Sequence, residues 1–179
     1  SCQIHFRQVS RAMVSAIAMV GFSIALSAQS RAEVDYVIHI SVDALRGDVL
    51  QRIVATPPNP ASTIYPSFRR LQNEGAFTYN ARSDYNFTET VPNHITMITG
   101  RPVSQPGGQP NTVHHGYSSN FPGGTHTIHA NGNNAVSYKS SIFDVVHDNG
   151  LSTNLYTSKT RLAILDRSYN AMNGALDLV

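Results

Sequence analysis

The stretch YVIHISV at residues 36–42, followed at once by Asp43, decides the predicted fold. It is short and rich in β-branched residues, and this composition is typical of a buried strand. Two further strands are predicted at residues 76–85 and 153–157. The four predicted helices alternate with these strands and lie at residues 46–54, 66–73, 92–99 and 138–147. Because strands that alternate with helices favour a parallel sheet, we predict an α/β fold with a mainly parallel sheet flanked by helices.

The composition is that of one folded domain with an export segment in front of it. The chain has 179 residues, of which 41% are hydrophobic and 13% are charged, so it is too apolar for a disordered chain. Arg7 and Arg11 precede an apolar run at residues 12–28 and then small residues, which is the order of a secretory signal peptide. We therefore predict a signal peptide at residues 1–32, a folded domain at residues 33–179, and export to the periplasm or the extracellular space. The alternative is an uncleaved anchor helix, for which the apolar run is slightly short.

Charge and cysteine content argue against two kinds of binding site. Three of the 13 Lys and Arg residues lie in the signal segment, which leaves 10 against 11 Asp and Glu residues in the mature chain. We therefore predict no basic surface of the kind that binds nucleic acid, and no stable membrane span once the signal is removed. Cys2 is the one cysteine of the sequence and also lies in the signal segment, so we predict neither a disulfide nor a thiolate metal site in the mature chain.

Asp43 is the first candidate functional residue. In an open α/β sheet, active sites lie beyond the carboxyl ends of the parallel strands, and Asp43 follows the first predicted strand. A carboxylate in that place can offer a hard oxygen ligand to a divalent metal ion. The alternative is that Asp43 caps the following helix, since Asp is a preferred N-cap residue.

Thr90 is the second candidate, and it opens the sequence TVPNHITMITG at residues 90–100. Pro92 stands in the first turn of a predicted helix, where its missing N–H costs nothing. Backbone N–H groups and the positive end of the helix dipole meet there and stabilise a phosphate. The Thr90 hydroxyl could attack that phosphate once a base or a metal ion activates it. The alternative is that Thr90 only caps the helix.

Three motifs follow one another along the chain. They are S-V-D-x-L-R at residues 41–46, T-x-P-N-H-x-T-x-x-T-G at 90–100 and H-G-x-x-x-N at 115–120. In this order and separation they resemble the motifs of the nucleotide pyrophosphatase/phosphodiesterase family of the alkaline phosphatase superfamily, and the resemblance covers residues 35–165. Sulfatases of the same superfamily fit less well, because Thr90 stands where they carry the Cys or Ser that becomes formylglycine.

The resemblance implies an alkaline-phosphatase-like fold, of which this chain would hold an incomplete, N-terminal part. It also implies two divalent metal ions, expected to be zinc, with Asp43 as a ligand of one of them. Thr90 would bridge to that ion and attack phosphorus, forming a phosphothreonine intermediate, while Asn120 would bind a non-bridging phosphate oxygen. The implied activity is that of a hydrolase that cleaves phosphodiester or pyrophosphate bonds in small phosphate esters. Threonine does not exclude a phosphomonoesterase of the same superfamily.

The chain departs from the family pattern in two respects. Residues 101–114 form an insertion between the second and third motifs, which leaves Asn111 as an alternative to Asn120 as the phosphate contact. We also find no D-x-x-x-H, D-H or late His motif for the remaining metal ligands, so the second metal site lacks its ligands in this chain. We therefore expect a fragment that is inactive by itself. A non-catalytic remnant of the fold is the alternative from a different functional class.

Several polar residues outside this assignment have two readings each. We expect His94 to brace the helix start by hydrogen bonding, with direct catalysis as the alternative. Lys159 and Arg161 follow a predicted strand and either approach a phosphate or are solvated. Four histidines of the loop at residues 102–134 either face solvent or bind a separate zinc ion, namely His114, His115, His126 and His129.

Overall fold

The computed structural model describes residues 36–55 and 65–170. The chain divides into two units, Ser1–Ser41 and Val42–Val179. Of the first unit only residues 36–41 are described, so the predicted signal peptide at residues 1–32 lies outside the described residues. The helices, the core and the candidate residues Asp43, Thr90 and Asn120 all belong to the second unit.

Six α-helices and one 3₁₀ helix form the regular structure of the described residues. They are α1 (Gly47–Ala55), α2 (Pro66–Glu74), α3 (Thr90–Thr99), α4 (Ile128–Asn131), α5 (Ile142–Asp148), the 3₁₀ helix Thr160–Leu162 and α6 (Ala163–Ser168). The helices predicted at residues 46–54, 66–73 and 92–99 are confirmed, with boundaries that differ by no more than two residues. None of the described helices is long and apolar enough to cross a membrane.

The helix predicted at residues 138–147 begins later than its apolar spacing suggests, at Ile142. Ser141 sets this start, because its hydroxyl oxygen accepts from the Phe143 N–H at 3.0 Å. The Asp144 carboxylate accepts in return from the Ser141 N–H at 2.6 Å, which completes a capping box. The start of α5 is therefore set by side chains that accept from the free N–H groups of its first turn. The spacing of apolar residues does not predict this start.

The predicted parallel sheet is wrong for this part of the chain, because none of the described residues forms a β-strand. Residues 36–42 are irregular, and the Tyr36 and Ile38 side chains are 87% and 82% exposed. Residues 76–85 and 153–157 are irregular as well. β-branched residues favour an extended backbone locally, but a strand exists only when a second segment supplies the ladder hydrogen bonds. Within residues 36–55 and 65–170 no segment supplies them, so an alkaline-phosphatase-like sheet is not seen.

The core is built around α3, the helix that begins with Thr90. The buried face of this helix is apolar and includes Val91, Ile95 and Ile98. It shares one cluster with buried residues from the later part of the chain, namely Tyr117, Ile128, Leu162, Ile164, Leu165 and Tyr169. Each Å² of apolar surface buried in this way contributes about 25 cal/mol. The core therefore fixes the start of α3 relative to the segments that carry Asn120 and Lys159.

The insertion at residues 101–114 begins and ends close to the same place in the structure. The His115 N–H donates to Pro102 O and the Gly116 N–H donates to Val103 O, each at 3.0 Å. The two ends of the insertion consequently lie side by side. The third motif therefore follows the second closely in space, although 14 further residues separate them in sequence.

Candidate functional site

Asp43 lies in a tight turn and not at the end of a strand. The Leu45 N–H donates to Val42 O at 3.4 Å across this turn, and Ala44 has a left-handed backbone with φ 61°. Such a conformation costs an L-amino acid on the order of 1 kcal/mol. The Ala44 N–H donates to Asp43 Oδ1 at 3.1 Å, which helps to hold the turn. Asp43 does not cap α1, since that helix begins four residues later at Gly47.

Thr90 is the first residue of α3, and its hydroxyl faces Asp43. Thr90 Oγ1 donates to Asp43 Oδ2 at 3.0 Å, across 47 positions of sequence. Glu89 is the N-cap residue of the helix, and its own side chain makes no capping hydrogen bond. The Thr90 hydroxyl therefore does not have the capping role that the sequence left open. The fold brings the first and second motifs within hydrogen-bond distance of each other.

Asn120, at the end of the third motif, bonds to the start of the same helix. Its Oδ1 accepts from the Val91 N–H at 3.1 Å. The carboxamide keeps its two N–H donors, and no described residue accepts from them. Pro92 has no N–H, and the Asn93 N–H bonds to a backbone carbonyl. The Thr90 N–H is therefore the remaining donor of the first turn, and no acceptor for it occurs in the described part of the chain.

Two residues of the second motif support the start of α3: Asn93 bonds to the preceding segment, and His94 bonds within the helix. Asn93 Oδ1 accepts from the Asp84 N–H at 2.9 Å, and Asn93 Nδ2 donates to Glu89 O at 2.8 Å. His94 Nδ1 lies 2.7 Å from Thr90 O. Because a carbonyl oxygen only accepts, His94 Nδ1 carries the proton. The expectation that His94 braces the helix start is confirmed.

Lys159 belongs to the site, although the sequence left open whether it is merely solvated. Its Nζ donates to Asp43 Oδ2 across 116 positions of sequence, and the same oxygen accepts from Thr90. The Lys159 ammonium group, with help from the Thr90 hydroxyl, holds the pKa of the Asp43 carboxyl below its ordinary value. The Lys159 and Asp43 side chains are 42% and 34% exposed, so water screens part of this attraction. Lys159 lies outside the three motifs, and its ion pair has no signal in the sequence.

A partly buried hydrogen bond joins the second motif to the third. Thr96 Oγ1 donates to Pro92 O at 3.2 Å and is therefore left to accept from His115 Nε2, which lies 3.1 Å away. His115 Nδ1 accepts from the Tyr117 N–H at 3.0 Å. His115 is fully buried, and this burial lowers its pKa to about 4, so the ring is neutral at pH 7. The histidine of the third motif thus positions the segment that carries Asn120.

Phe121 and Arg161 connect the two segments that reach the site from outside α3. Phe121 directly follows Asn120, and its side chain is 74% exposed. The guanidinium carbon of Arg161 lies 4.7 Å from the centre of the Phe121 ring, within the range of a cation–π interaction. Arg161 is two residues from Lys159. Arg161 contacts the aromatic ring, whereas Lys159 contacts the Asp43 carboxylate.

Two of the loop histidines that the sequence suggested as zinc ligands have other partners. The backbone carbonyl of Asn111, the alternative phosphate contact, accepts from Asn133 Nδ2 at 2.5 Å, and this bond does not involve the Asn111 carboxamide. His126 Nδ1 lies 3.0 Å from a tyrosine hydroxyl, and His129 Nε2 lies 2.8 Å from Ser168 O. In residues 36–55 and 65–170, no three His, Cys, Asp or Glu side chains are placed so that they could hold a metal ion together.

Asp43 and Thr90 fit one side of a divalent metal site. A carboxylate oxygen and a hydroxyl oxygen 3.0 Å apart are hard donors of the kind that such ions take. Catalytic zinc sites usually have three protein ligands, and the described residues offer these two. The resemblance implies further ligands for this ion and a complete set for a second, and neither is found among the described residues.

The comparisons with known proteins found no matching family model, no matching curated protein and no matching solved structure. The relation to the nucleotide pyrophosphatase/phosphodiesterase family is therefore a resemblance that rests on the three sequence motifs.

Proposed function

We propose that this chain carries the nucleophile side of a metal-dependent phosphodiesterase site. Thr90 is the nucleophile, Asp43 is a ligand of one of two divalent ions, expected to be zinc, and Asn120 is the phosphate contact. The observation that supports this most strongly is the hydrogen bond from Thr90 Oγ1 to Asp43 Oδ2 at the start of a ten-residue helix. When bound, a divalent ion would lower the pKa of the Thr90 hydroxyl and offset the charge of the phosphate.

The start of α3 offers donors for the phosphate group of a substrate. The Thr90 N–H and the Asn120 Nδ2 group would donate to its non-bridging oxygens, and the positive end of the helix dipole would add to their effect. Asn120 is oriented before a substrate arrives, because its Oδ1 is bonded to the Val91 N–H. Donors that are fixed in advance stabilise the charge that develops in the transition state without a further cost of reorganisation.

The hydrolysis would consist of two successive displacements at phosphorus, and each of them forms one bond and breaks one. After losing its proton to solvent, Thr90 Oγ1 would attack phosphorus in line and expel one alcohol or phosphate leaving group, which takes up a proton. The second ester group stays on phosphorus, so the product is an ester of phosphothreonine. Water would then cleave the bond between phosphorus and Thr90 Oγ1 and restore the hydroxyl. Asp43 orients the nucleophile, since Oδ2 accepts the hydrogen bond of the Thr90 hydroxyl.

The first test is the hydrolysis of bis(4-nitrophenyl) phosphate by the protein expressed from its complete gene, with zinc present. We expect Thr90→Val to lower kcat by at least about a thousandfold, because this change removes the nucleophilic hydroxyl and keeps the side-chain shape. Thr88→Val is the matched control, since Thr88 is exposed and two residues away. We expect the control to keep wild-type turnover. We also expect this chain alone to be inactive, because the described residues supply only part of one ligand set.

Each alternative has its own outcome in this assay. Wild-type turnover by Thr90→Val would disprove the role of Thr90 as the nucleophile. Faster turnover of 4-nitrophenyl phosphate than of the diester would identify a phosphomonoesterase. No turnover of either ester by a folded, zinc-loaded protein would favour the non-catalytic remnant. Mass spectrometry after an acid quench, with a 4-nitrophenyl phosphate group found on the peptide that contains Thr90, would support the intermediate directly.

A further inference from the structure

We propose that the Lys159 ammonium group and a divalent metal ion compete for the Asp43 carboxylate, so that Lys159 sets the metal affinity of the site. The inference rests on the proposed function, because it takes Asp43 as a metal ligand. It goes beyond that function by assigning a role to a residue outside the three motifs.

The backbone places Lys159 beside Asp43. The Lys159 N–H donates to Thr157 Oγ1 at 3.1 Å, which forms a tight turn directly before the 3₁₀ helix Thr160–Leu162. Leu162 at the end of that helix is buried in the core around α3. The position of the Lys159 backbone is therefore fixed by the same core that fixes Thr90. Because its backbone is held in this way, the Lys159 side chain stays within reach of Asp43.

The ammonium group and a metal ion need the same oxygen atoms. Asp43 Oδ2 accepts from Lys159 Nζ and from Thr90 Oγ1, so both contacts lie on one side of the carboxylate. An ion that binds Asp43 and Thr90 together must approach from that side. Two like charges so close to each other repel, although water screens part of the repulsion at this exposed carboxylate. Binding of the ion therefore requires that Lys159 moves away from Asp43.

The nearby cations have other partners. Arg46 Nη2 lies 2.8 Å from Asp48 Oδ2, and Arg161 lies over the Phe121 ring. In the described part of the chain, Lys159 is thus the cation that makes an ion pair with Asp43. It compensates the carboxylate charge while no metal ion is bound.

Isothermal titration with zinc tests this competition in the protein that is used for the phosphodiesterase assay. We expect Lys159→Gln to lower the zinc dissociation constant about fivefold, because coupling energies of about 1 kcal/mol correspond to such a factor. Lys159→Arg keeps the positive charge, and its affinity should stay within about twofold of the wild type. Arg161→Gln removes a charge of the same sign two residues away and is the control for a general effect of charge. Its affinity should also stay close to that of the wild type.

The titration separates this inference from the proposed function. Equal zinc affinity of the wild type and Lys159→Gln, or weaker binding by Lys159→Gln, would overturn the competition. Tighter binding by Arg161→Gln to the same extent would overturn it too, since the effect would then come from net charge. If none of these proteins binds zinc, both the inference and the proposed metal dependence fail. Tighter binding by Lys159→Gln in a protein without esterase activity would support the competition and reject the proposed function.

Discussion

His115 is fully buried, and both of its ring nitrogens are bonded. Nε2 donates to Thr96 Oγ1 at 3.1 Å, and Nδ1 accepts from the Tyr117 N–H at 3.0 Å. This arrangement suits the neutral ring, because a proton on Nδ1 would face the N–H of Tyr117. Burial lowers the pKa of His115 to about 4. A motif histidine that resembles a metal ligand in sequence therefore has a role in stability.

We predict that the protein loses stability in acid through His115. The unfolded chain takes up the proton near pH 6.5, whereas the folded chain resists it until about pH 4. The contribution of His115 is therefore complete above pH 6.5 and is lost as the pH falls through this window. Between pH 7.5 and pH 5 the free energy of unfolding should fall by about 2 kcal/mol because of this residue.

Urea unfolding at these two pH values measures the effect. In His115→Asn the difference between pH 7.5 and pH 5 should shrink by about that amount. His147→Asn is the control, because His147 is exposed, and it should keep the wild-type difference. An unchanged difference in His115→Asn would contradict the assignment.

At the scale of elements, side chains that cap the first turn decide where α4 and α5 begin. α5 is the clearest case, since Ser141 and Asp144 satisfy each other and the first-turn N–H groups. The Asp144 carboxylate also accepts from the Tyr138 hydroxyl at 2.6 Å, which ties the preceding segment to the helix. Asp144 therefore acts as a capping residue of α5.

We predict that Ser141→Ala lowers the free energy of unfolding by about 1 to 2 kcal/mol. The change removes the acceptor of the Phe143 N–H and one donor to the buried Asp144 carboxylate. Ser140→Ala is the matched control, because Ser140 is the exposed neighbour, and it should change stability by less than about 0.5 kcal/mol. Urea unfolding compares the two variants. Equal effects would show that the capping box does not stabilise α5.

At the scale of the whole molecule, the described residues form one core around α3. The helix buries Val91, Ile95 and Ile98, while its first residue, Thr90, carries the candidate nucleophile. The Asn120 and Lys159 segments pack against this core through Tyr117 and Leu162. The geometry of the candidate site therefore depends on core packing as well as on its own hydrogen bonds.

We predict that Ile95→Ala lowers the free energy of unfolding by about 2 to 5 kcal/mol. The Ile95 side chain is fully buried, so its truncation leaves a cavity in the core. Met97→Ala lies on the same helix, but Met97 is 45% exposed, so the loss should be about 1 kcal/mol or less. Urea denaturation with an unchanged m value is the measurement. Equal losses for the two variants would show that the core does not centre on α3.

The sequence by itself determined the local features of this protein. Three helices were predictable, namely Gly47–Ala55, Pro66–Glu74 and Thr90–Thr99. Helical hydrogen bonds join residues four apart, so the residues that determine a helix all lie within one short segment. The bracing role of His94 was predictable for the same reason, since its partner Thr90 lies one turn away. The three motifs also mark Asp43, Thr90 and Asn120 as candidates, because each motif is complete within a short stretch of chain.

Only the tertiary structure decided what depends on distant partners. A β-branched stretch such as residues 36–42 becomes a strand only if another segment pairs with it, and the described residues provide no such pairing. The hydrogen bond of Thr90 to Asp43 spans 47 positions, and the ion pair of Lys159 with Asp43 spans 116. Residue type and spacing carry no record of contacts over such separations. The contacts of Asp43 with Thr90 and Lys159 form because the core around α3 brings these segments together. The packing of the chain determines that core.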